Sequence, residues 1–111
     1  MLTWNTTGIT LQRTPKGNGP FTTAVAWTDV TGAAAYKADL GFLDLICVAI
    51  FTDTGSLEIN EEMDGWEKLI EELPAHLPGF PRASSWFEKV AQPPFSTNFT
   101  RLYSKGEIPS N

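Results

Sequence analysis

The chain has 111 residues, a length that suits one domain covering residues 1–111. Hydrophobic residues make up 41% and charged residues 19%, which predicts a packed core and excludes disorder as the default state. The net charge of −5 argues against nucleic acid and anionic membrane as partners, because both attract positive surfaces.

The first third of the chain predicts strands joined by turns. Residues 9–13 alternate apolar and polar side chains, which is typical of a half-buried strand. Residues 14–20 are dense in glycine and proline, which predicts a loop. Residues 21–37 predict two strands separated by a bend or bulge at 28–32. The alanines at 33–35 imply that a helix or an aromatic ring packs on them, although an alanine run also suits a helix.

A hairpin follows. Residues 43–52 are apolar on both faces, which predicts a central strand. Residues 53–56 predict a tight turn, with Gly55 at the position that favours positive φ. Residues 57–60 predict the returning strand, with its apolar side chains on one face.

The main helix is predicted by an apolar stripe at spacings of three and four: Met63, Trp66, Leu69, Ile70, Leu73 and Leu77. Asp64 and Glu67 fit a capping box, and Asn60 would cap an earlier start. Pro74 should kink the last turn, and residues 78–79 should end the helix.

Beyond this helix, Ser85 and Glu88 predict a capped short helix that runs to Ala91. A final strand is predicted within 97–104, and residues 92–111 are predicted to form a wrapping C-terminal tail. Strands in hairpin order followed by a helix predict an α+β fold. Its economical form is a strongly bent antiparallel sheet capped by one amphipathic helix, with the short helix after it.

Three segments resemble the pleckstrin-homology-like (PH-like) half-barrel of small bacterial proteins: AWTDV at 26–30, the hairpin at 53–59 and GWEKLIEEL at 65–73. A closer resemblance is to a family of small bacterial proteins without an assigned activity. It is carried by AYKADLGFLDLIC at 35–47, LPGF at 77–80, Trp86, Val90 and PPFSTNFTRLY at 93–103. In phosphoinositide-binding relatives of the broader fold, basic residues of an early loop bind the lipid head group. The resemblance therefore makes Arg13 and Lys16 the candidates for that role here.

Three further residues bracket the bend between two predicted strands: Lys37, Asp39 and Asp44. One interpretation is an ion pair that fixes the connection. The other is a polar binding patch at the open end of the sheet, which Arg13 and Lys16 would join.

An aromatic and proline-rich region near the C-terminus contains Trp86, Pro93, Pro94, Phe95 and Phe99. We expect most of it to cover the sheet. Whatever part stays exposed would form an interaction surface, with Trp86, Phe95 and Phe99 as its candidates, because monomers rarely expose large apolar patches.

The candidates for catalysis and metal binding are few. Cys47 and His76 are the one pair able to supply a nucleophile and a base, but Cys47 lies mid-strand among apolar residues, where a packed, inert thiol belongs. Residues 61–64 carry three carboxylates that would suit a divalent cation or, more simply, a helix dipole. Eight of the thirteen acids lie between Asp53 and Glu72, which predicts one negative face.

The sequence thus predicts a non-catalytic binding or protein-interaction module of bacterial origin, whose partner is an unknown protein or a second copy. The alternatives are a binder of small molecules or lipid head groups near Arg13, Lys16 and Lys37, and an enzyme that uses Cys47. We expect no cofactor and no metal. A single cysteine, no signal-peptide pattern and no long apolar run favour the cytoplasm over a membrane.

Overall fold

The computed structural model describes residues 2–13, 19, 21–39, 44–91 and 100–104. The elements formed by these residues are β1 (Leu2–Trp4), β2 (Gly8–Arg13), β3 (Phe21–Ala26), a 3₁₀ turn (Trp27–Asp29), β4 (Gly32–Asp39), β5 (Asp44–Thr52), β6 (Gly55–Asn60), α1 (Trp66–His76), α2 (Ala83–Ala91) and β7 (Thr100–Ser104).

The described strands form two antiparallel sheets, so the fold is α+β as predicted. The first sheet has the strand order β1-β2-β3, and the second has the order β6-β5-β4-β7. The sequence predicted one bent sheet, but the 3₁₀ turn at Trp27–Asp29 interrupts the chain between β3 and β4. The described strands of the two sheets do not close into a barrel.

Strand β5 lies between β4 and β6, which confirms its predicted central position. Its partner positions show which side chains share a face: Ala35 lies opposite Val48, and Tyr36 lies opposite Cys47. Ala35 and Val48 are fully buried and belong to the hydrophobic core. The alanines at 33–35 are thus buried in strand β4, and the packing of a helix or an aromatic ring on them stays a prediction.

Helix α1 places its apolar stripe in the core, and Trp66 is 5% exposed. The predicted capping box is wrong, because Gly65 is the N-cap with φ +93° and no side chain bonds to the helix start. Strand β1 explains the glycine, since a Cβ at Gly65 would lie 3.2 Å from the Leu2 carbonyl oxygen. Asn60 does not cap α1 either: its side-chain oxygen accepts the Glu62 N–H at 3.0 Å, in the turn before the helix.

The predicted positive φ at Gly55 is wrong, since that residue begins β6 in an ordinary strand conformation. Positive φ occurs instead at Gly65 and Gly79. Gly79 follows the end of α1, where the sequence predicted the stop. Pro74 lies inside α1, and the helix continues to His76.

Helix α2 begins at Ala83, so the predicted cap at Ser85 is wrong. The Ser85 hydroxyl donates to the Arg82 carbonyl oxygen at 2.7 Å from within the first turn. The final strand is β7, which lies within the predicted range and pairs with β4. The predicted wrapping tail falls mostly on residues outside the described part of the chain.

Strand β1 was not predicted. Its Leu2 N–H donates to the Asp64 carbonyl oxygen at 3.3 Å, and the Trp4 indole N–H donates to Glu72 Oε1 at 3.1 Å. Both bonds tie the N-terminal strand to α1 and the turn before it. One core cluster consequently includes side chains from both sheets and both helices.

Candidate functional site

A groove of about 550 Å³ separates α1 from α2. Its described lining residues are Glu61, Trp66, Glu67, Lys68, Ile70, Glu71, Ala83 and Phe87. Ligand sites span roughly 300–1,000 Å³, so the groove has room for side chains of a bound molecule. It combines an apolar floor with an acidic rim.

The floor follows from how the two helices pack. Trp66 and Ile70 belong to the buried stripe of α1, and their outer edges remain at the base of the groove. Ala83 and Phe87 stand four residues apart on one face of α2, and both are half-buried. The Phe87 ring lies with its centroid 5.9 Å from that of Trp86, which is buried and holds α2 against the core.

The rim carries three glutamates and one lysine. Glu67 and Glu71 lie one turn apart on the exposed face of α1, and Lys68 lies beside them. Side chains four residues apart on a helix are neighbours, so the two carboxylates lie close together on one side of the groove. With Glu61 included, the groove has a formal charge of −2 from its four charged side chains.

Glu61 is fixed by the sheet. Its N–H donates to the Ile46 carbonyl oxygen at 3.0 Å, and its Oε1 accepts the Ile46 N–H at 3.0 Å. The carboxylate thus replaces a backbone carbonyl at the end of the β5–β6 ladder. A charge held in this way loses little side-chain freedom when a ligand binds.

A second cleft of about 560 Å³ lies beside the first sheet. One wall is β3, and the other is formed by the 3₁₀ region and the turn between β5 and β6. Its described lining residues are Thr23, Ala24, Val25, Thr28, Asp29, Thr31, Thr52, Asp53, Thr54, Gly55 and Ser56. Hydroxyls and two carboxylates dominate this cleft.

Lys37 lies in the core rather than at the surface, with 1% of its area exposed. Its Nζ donates to the Ala91 carbonyl oxygen at 2.8 Å and lies 3.6 Å from Asp44 Oδ2. The ion pair that one interpretation predicted is therefore present. It joins the β4–β5 hairpin to the end of α2.

The other predicted binding residues are not brought together. Only the backbone of Arg13 and Asp39 is described, in β2 and β4. Lys16 lies outside the described residues, so a polar patch that includes these side chains stays a prediction.

The predicted interaction surface is described at one position. Trp86 is 3% exposed and belongs to the core, and its indole N–H has no hydrogen-bond partner among the described residues. Phe95 and Phe99 lie outside the described part of the chain. Phe87 is an aromatic residue of α2 that stays partly exposed, and it lines one side of the groove.

Cys47 and His76 lie on different parts of the fold. Cys47 is 6% exposed on the face of β5 that points away from the core cluster, and burial raises the pKa of its thiol. The His76 ring stacks on Trp27, with centroids 4.8 Å apart and planes 8° apart. Its Nε2 lies 3.9 Å from Glu72 Oε1.

The described residues contain no group of three or more His, Cys, Asp or Glu side chains able to hold a metal ion. The three carboxylates at 61–64 include Glu61, whose Oε1 is engaged by Ile46. Within the same described ranges, no helix has the length and apolar character needed to cross a membrane.

Sequence reasoning missed the groove. Two signals for it were present, namely Glu67 and Glu71 one turn apart and Ala83 and Phe87 one turn apart. Each pair shows that one helix has a distinctive face. Neither shows that the two faces meet, because contact between elements separated in sequence is set by the whole fold.

No family model, curated protein or solved structure matches this chain. Function must therefore be inferred from the chain's own residues.

Proposed function

We propose that this protein is a non-catalytic protein-interaction module, and that the groove between α1 and α2 binds a basic segment of a partner protein with an apolar anchor. The observation that supports the proposal is the acidic rim around an apolar floor. Each part selects a different property of the partner.

The rim selects charge. Glu61, Glu67 and Glu71 surround the groove with one opposing lysine, and they belong to the part of the chain that holds most of its acids. A segment rich in lysine or arginine gains attraction as it approaches and faces no repulsion when bound. A segment rich in acids is rejected for the same reason.

The floor supplies affinity. Phe87 and Ala83 are partly exposed above the buried Trp66 and Ile70, so an incoming aromatic or aliphatic side chain removes apolar surface of both molecules from water. An amphipathic helix that lies along a hydrophobic groove is a common form of peptide recognition.

The finer fold assignment belongs to the same proposal. Antiparallel sheets followed by α1 support a PH-like half-barrel, and with it membership of the bacterial family that the sequence resembles. A cytoplasmic location is supported by the one cysteine, which is free and buried.

The two alternative functions gain less support. A binder of lipid head groups needs free cations, and the Lys37 ammonium is engaged by Ala91 and Asp44. An enzyme that uses Cys47 needs an accessible thiolate, whereas this thiol is buried with a raised pKa.

The test uses two labelled helical peptides that share one stripe of phenylalanine and leucine. Lysines flank the stripe in the first peptide, and glutamates flank it in the second. We expect fluorescence polarisation to show binding of the lysine peptide, with an affinity that falls as salt rises. The amide resonances of Ala83 and Phe87 should shift in the same titration.

The matched variants reverse charge in and outside the groove. Glu67→Lys combined with Glu71→Lys should weaken binding of the lysine peptide by at least about tenfold. Glu88→Lys reverses an exposed charge on α2 that does not line the groove, and it should change binding little. Equal binding of both peptides, or an equal loss in both variants, would contradict the proposal.

A further inference from the structure

Strand β3 is the least protected edge of the two sheets. The described edge strands are β1, β3, β6 and β7. Proteins protect such edges with short strands, charges, prolines or bulges, because an open edge pairs with other chains. Here β1 has three residues, β6 carries the exposed Glu58, and β7 carries Arg101 beside a register shift. Strand β3 has six residues with none of these features, and its register against β2 is unbroken.

The backbone pattern shows which groups of β3 face outward. The Trp27 N–H donates to the Thr7 carbonyl oxygen at 3.0 Å, which continues the β2–β3 ladder by one pair. Bonded and non-bonded pairs alternate along an antiparallel ladder. The amides of Val25 and Thr23 therefore point to β2, and those of Ala24 and Thr22 point to the open edge.

The position of Gly8 agrees with this assignment. A Cβ added there would collide with the Val25 carbonyl oxygen, so that carbonyl points toward β2.

The 560 Å³ cleft meets β3 at this edge. Thr23, Ala24 and Val25 line it and no described residue of β2 does, which places the cleft on the side of β3 away from β2. The turn formed by residues 52–56 closes the far side.

The chemistry of the cleft suits a peptide backbone. The Thr31 hydroxyl donates to the Phe51 carbonyl oxygen at 3.2 Å and the Thr54 hydroxyl pairs with that of Thr52 at 3.3 Å, so each keeps a lone pair that can accept a hydrogen bond. Strand β3 adds the amides and carbonyls of Thr22 and Ala24, which point away from β2. Asp29 and Asp53 are exposed, and the described lining residues include no lysine or arginine. A basic side chain on the incoming strand therefore meets opposite charge.

We propose that β3 binds an extended, uncharged or basic segment of a partner protein by strand addition, at a site separate from the groove between α1 and α2. The segment becomes a fourth strand of the first sheet. Its backbone supplies affinity, and the two aspartates favour segments with a lysine or arginine. Because the sites share no lining residue, each can be tested while the other is intact.

The test measures amide hydrogen exchange by NMR on the full chain. The probe is a hexapeptide of alternating valine and threonine with an N-terminal lysine. In free protein, the Ala24 and Thr22 amides should exchange faster than those of Val25 and Thr23. At saturating peptide, exchange at Ala24 and Thr22 should slow by at least about tenfold.

Two variants block the site by different means. Ala24→Pro removes the outward amide but no bond to β2. Glu88→Lys is the control, since Glu88 is an exposed residue of α2 outside the lining of the cleft. Ser56→Phe fills the cleft from the opposite wall and leaves β3 unchanged. Peptide protection of Thr22 should be lost in Ala24→Pro and Ser56→Phe and retained in Glu88→Lys.

Three results would overturn the proposal. The first is no slowing of Ala24 and Thr22 exchange at millimolar peptide. The second is equal slowing in wild type and Ser56→Phe. The third is slowing that grows with protein concentration without peptide, since it would assign the edge to a second copy. Binding of the lysine-flanked helical peptide to the α1–α2 groove is measured separately, so failure of one site leaves the other result unaffected.

Discussion

The Nζ of Lys37 donates a hydrogen bond to the Ala91 carbonyl oxygen at 2.8 Å, although only 1% of the lysine is exposed. This bond joins the middle of β4 to the last residue of α2. Asp44 Oδ2 lies 3.6 Å from the same nitrogen and supplies the opposite charge. A buried lysine is thus a structural tie between the second sheet and α2.

Replacing Lys37 should lower the free energy of unfolding. Lys37→Ala leaves a cavity and an aspartate without its cation, and we expect the free energy of unfolding to fall by about 3 kcal/mol. Lys37→Met keeps most of the aliphatic volume and should cost about 1–2 kcal/mol, for the lost hydrogen bond. Urea denaturation measures both. Changes within about 0.5 kcal/mol for both variants would show that the tie contributes little.

The thiol of Cys47 should be protected from alkylation. It is 6% exposed, so a reagent in solution reaches the sulfur poorly. Burial also raises the pKa of the thiol, which lowers the fraction present as the reactive thiolate. We expect iodoacetamide to react with the folded protein at least about a hundredfold more slowly than with the urea-unfolded chain. Mass spectrometry over time gives both rates. Similar rates would restore the enzyme hypothesis.

Tyr36 should make stability fall at alkaline pH. Burial, followed by its hydrogen bond to Glu58, holds the pKa of the Tyr36 phenol well above its ordinary value. Below about pH 9 the phenol is protonated in both folded and unfolded states, so it adds no pH dependence. Above that pH the unfolded chain releases the proton first, which favours unfolding.

The variant Tyr36→Phe isolates this effect. The free energy of unfolding of the wild type should fall more steeply between about pH 9 and pH 11 than that of the variant. Glu58→Gln removes the acceptor's charge and should bring the Tyr36 pKa closer to normal, which ultraviolet titration of tyrosinate can follow. Parallel pH–stability curves for wild type and Tyr36→Phe would contradict the assignment.

Gly8 should not tolerate a side chain. A Cβ at this position would meet the Val25 carbonyl oxygen and lie 2.9 Å from the Ala26 Cα, both in the backbone of β3. Because backbone atoms cannot rotate away, we expect Gly8→Ala to cost about 2–4 kcal/mol. Gly55→Ala is the control, since the added Cβ has no neighbour within 4 Å. Thermal unfolding of both variants gives the comparison.

The sequence predicted the elements whose signals are local. The apolar spacing of Trp66, Leu69 and Leu73 predicted α1 and its buried face, and all three residues are buried. The apolar run of β5 predicted a central strand, because a strand buried on both faces has no place for charged side chains.

The errors concern contacts between distant parts of the chain. Asp64 and Glu67 matched a capping pattern, but the approach of β1 requires Gly65 at the N-cap. For Lys37 the sequence predicted an ion pair or a polar patch but not its hydrogen bond to Ala91, because Ala91 lies on a helix more than fifty residues later. The groove between α1 and α2 was missed for the same reason.

Strand β4 has a consequence for biosynthesis. One of its edges pairs with β5, which follows at once, but the other pairs with β7, which ends at Ser104. A ribosome must therefore extend the chain from β4 through Ser104 before the second edge of β4 is covered. Until then the nascent chain carries an uncovered strand at Ala33–Ala35, and chaperones that recognise exposed apolar segments have their target there.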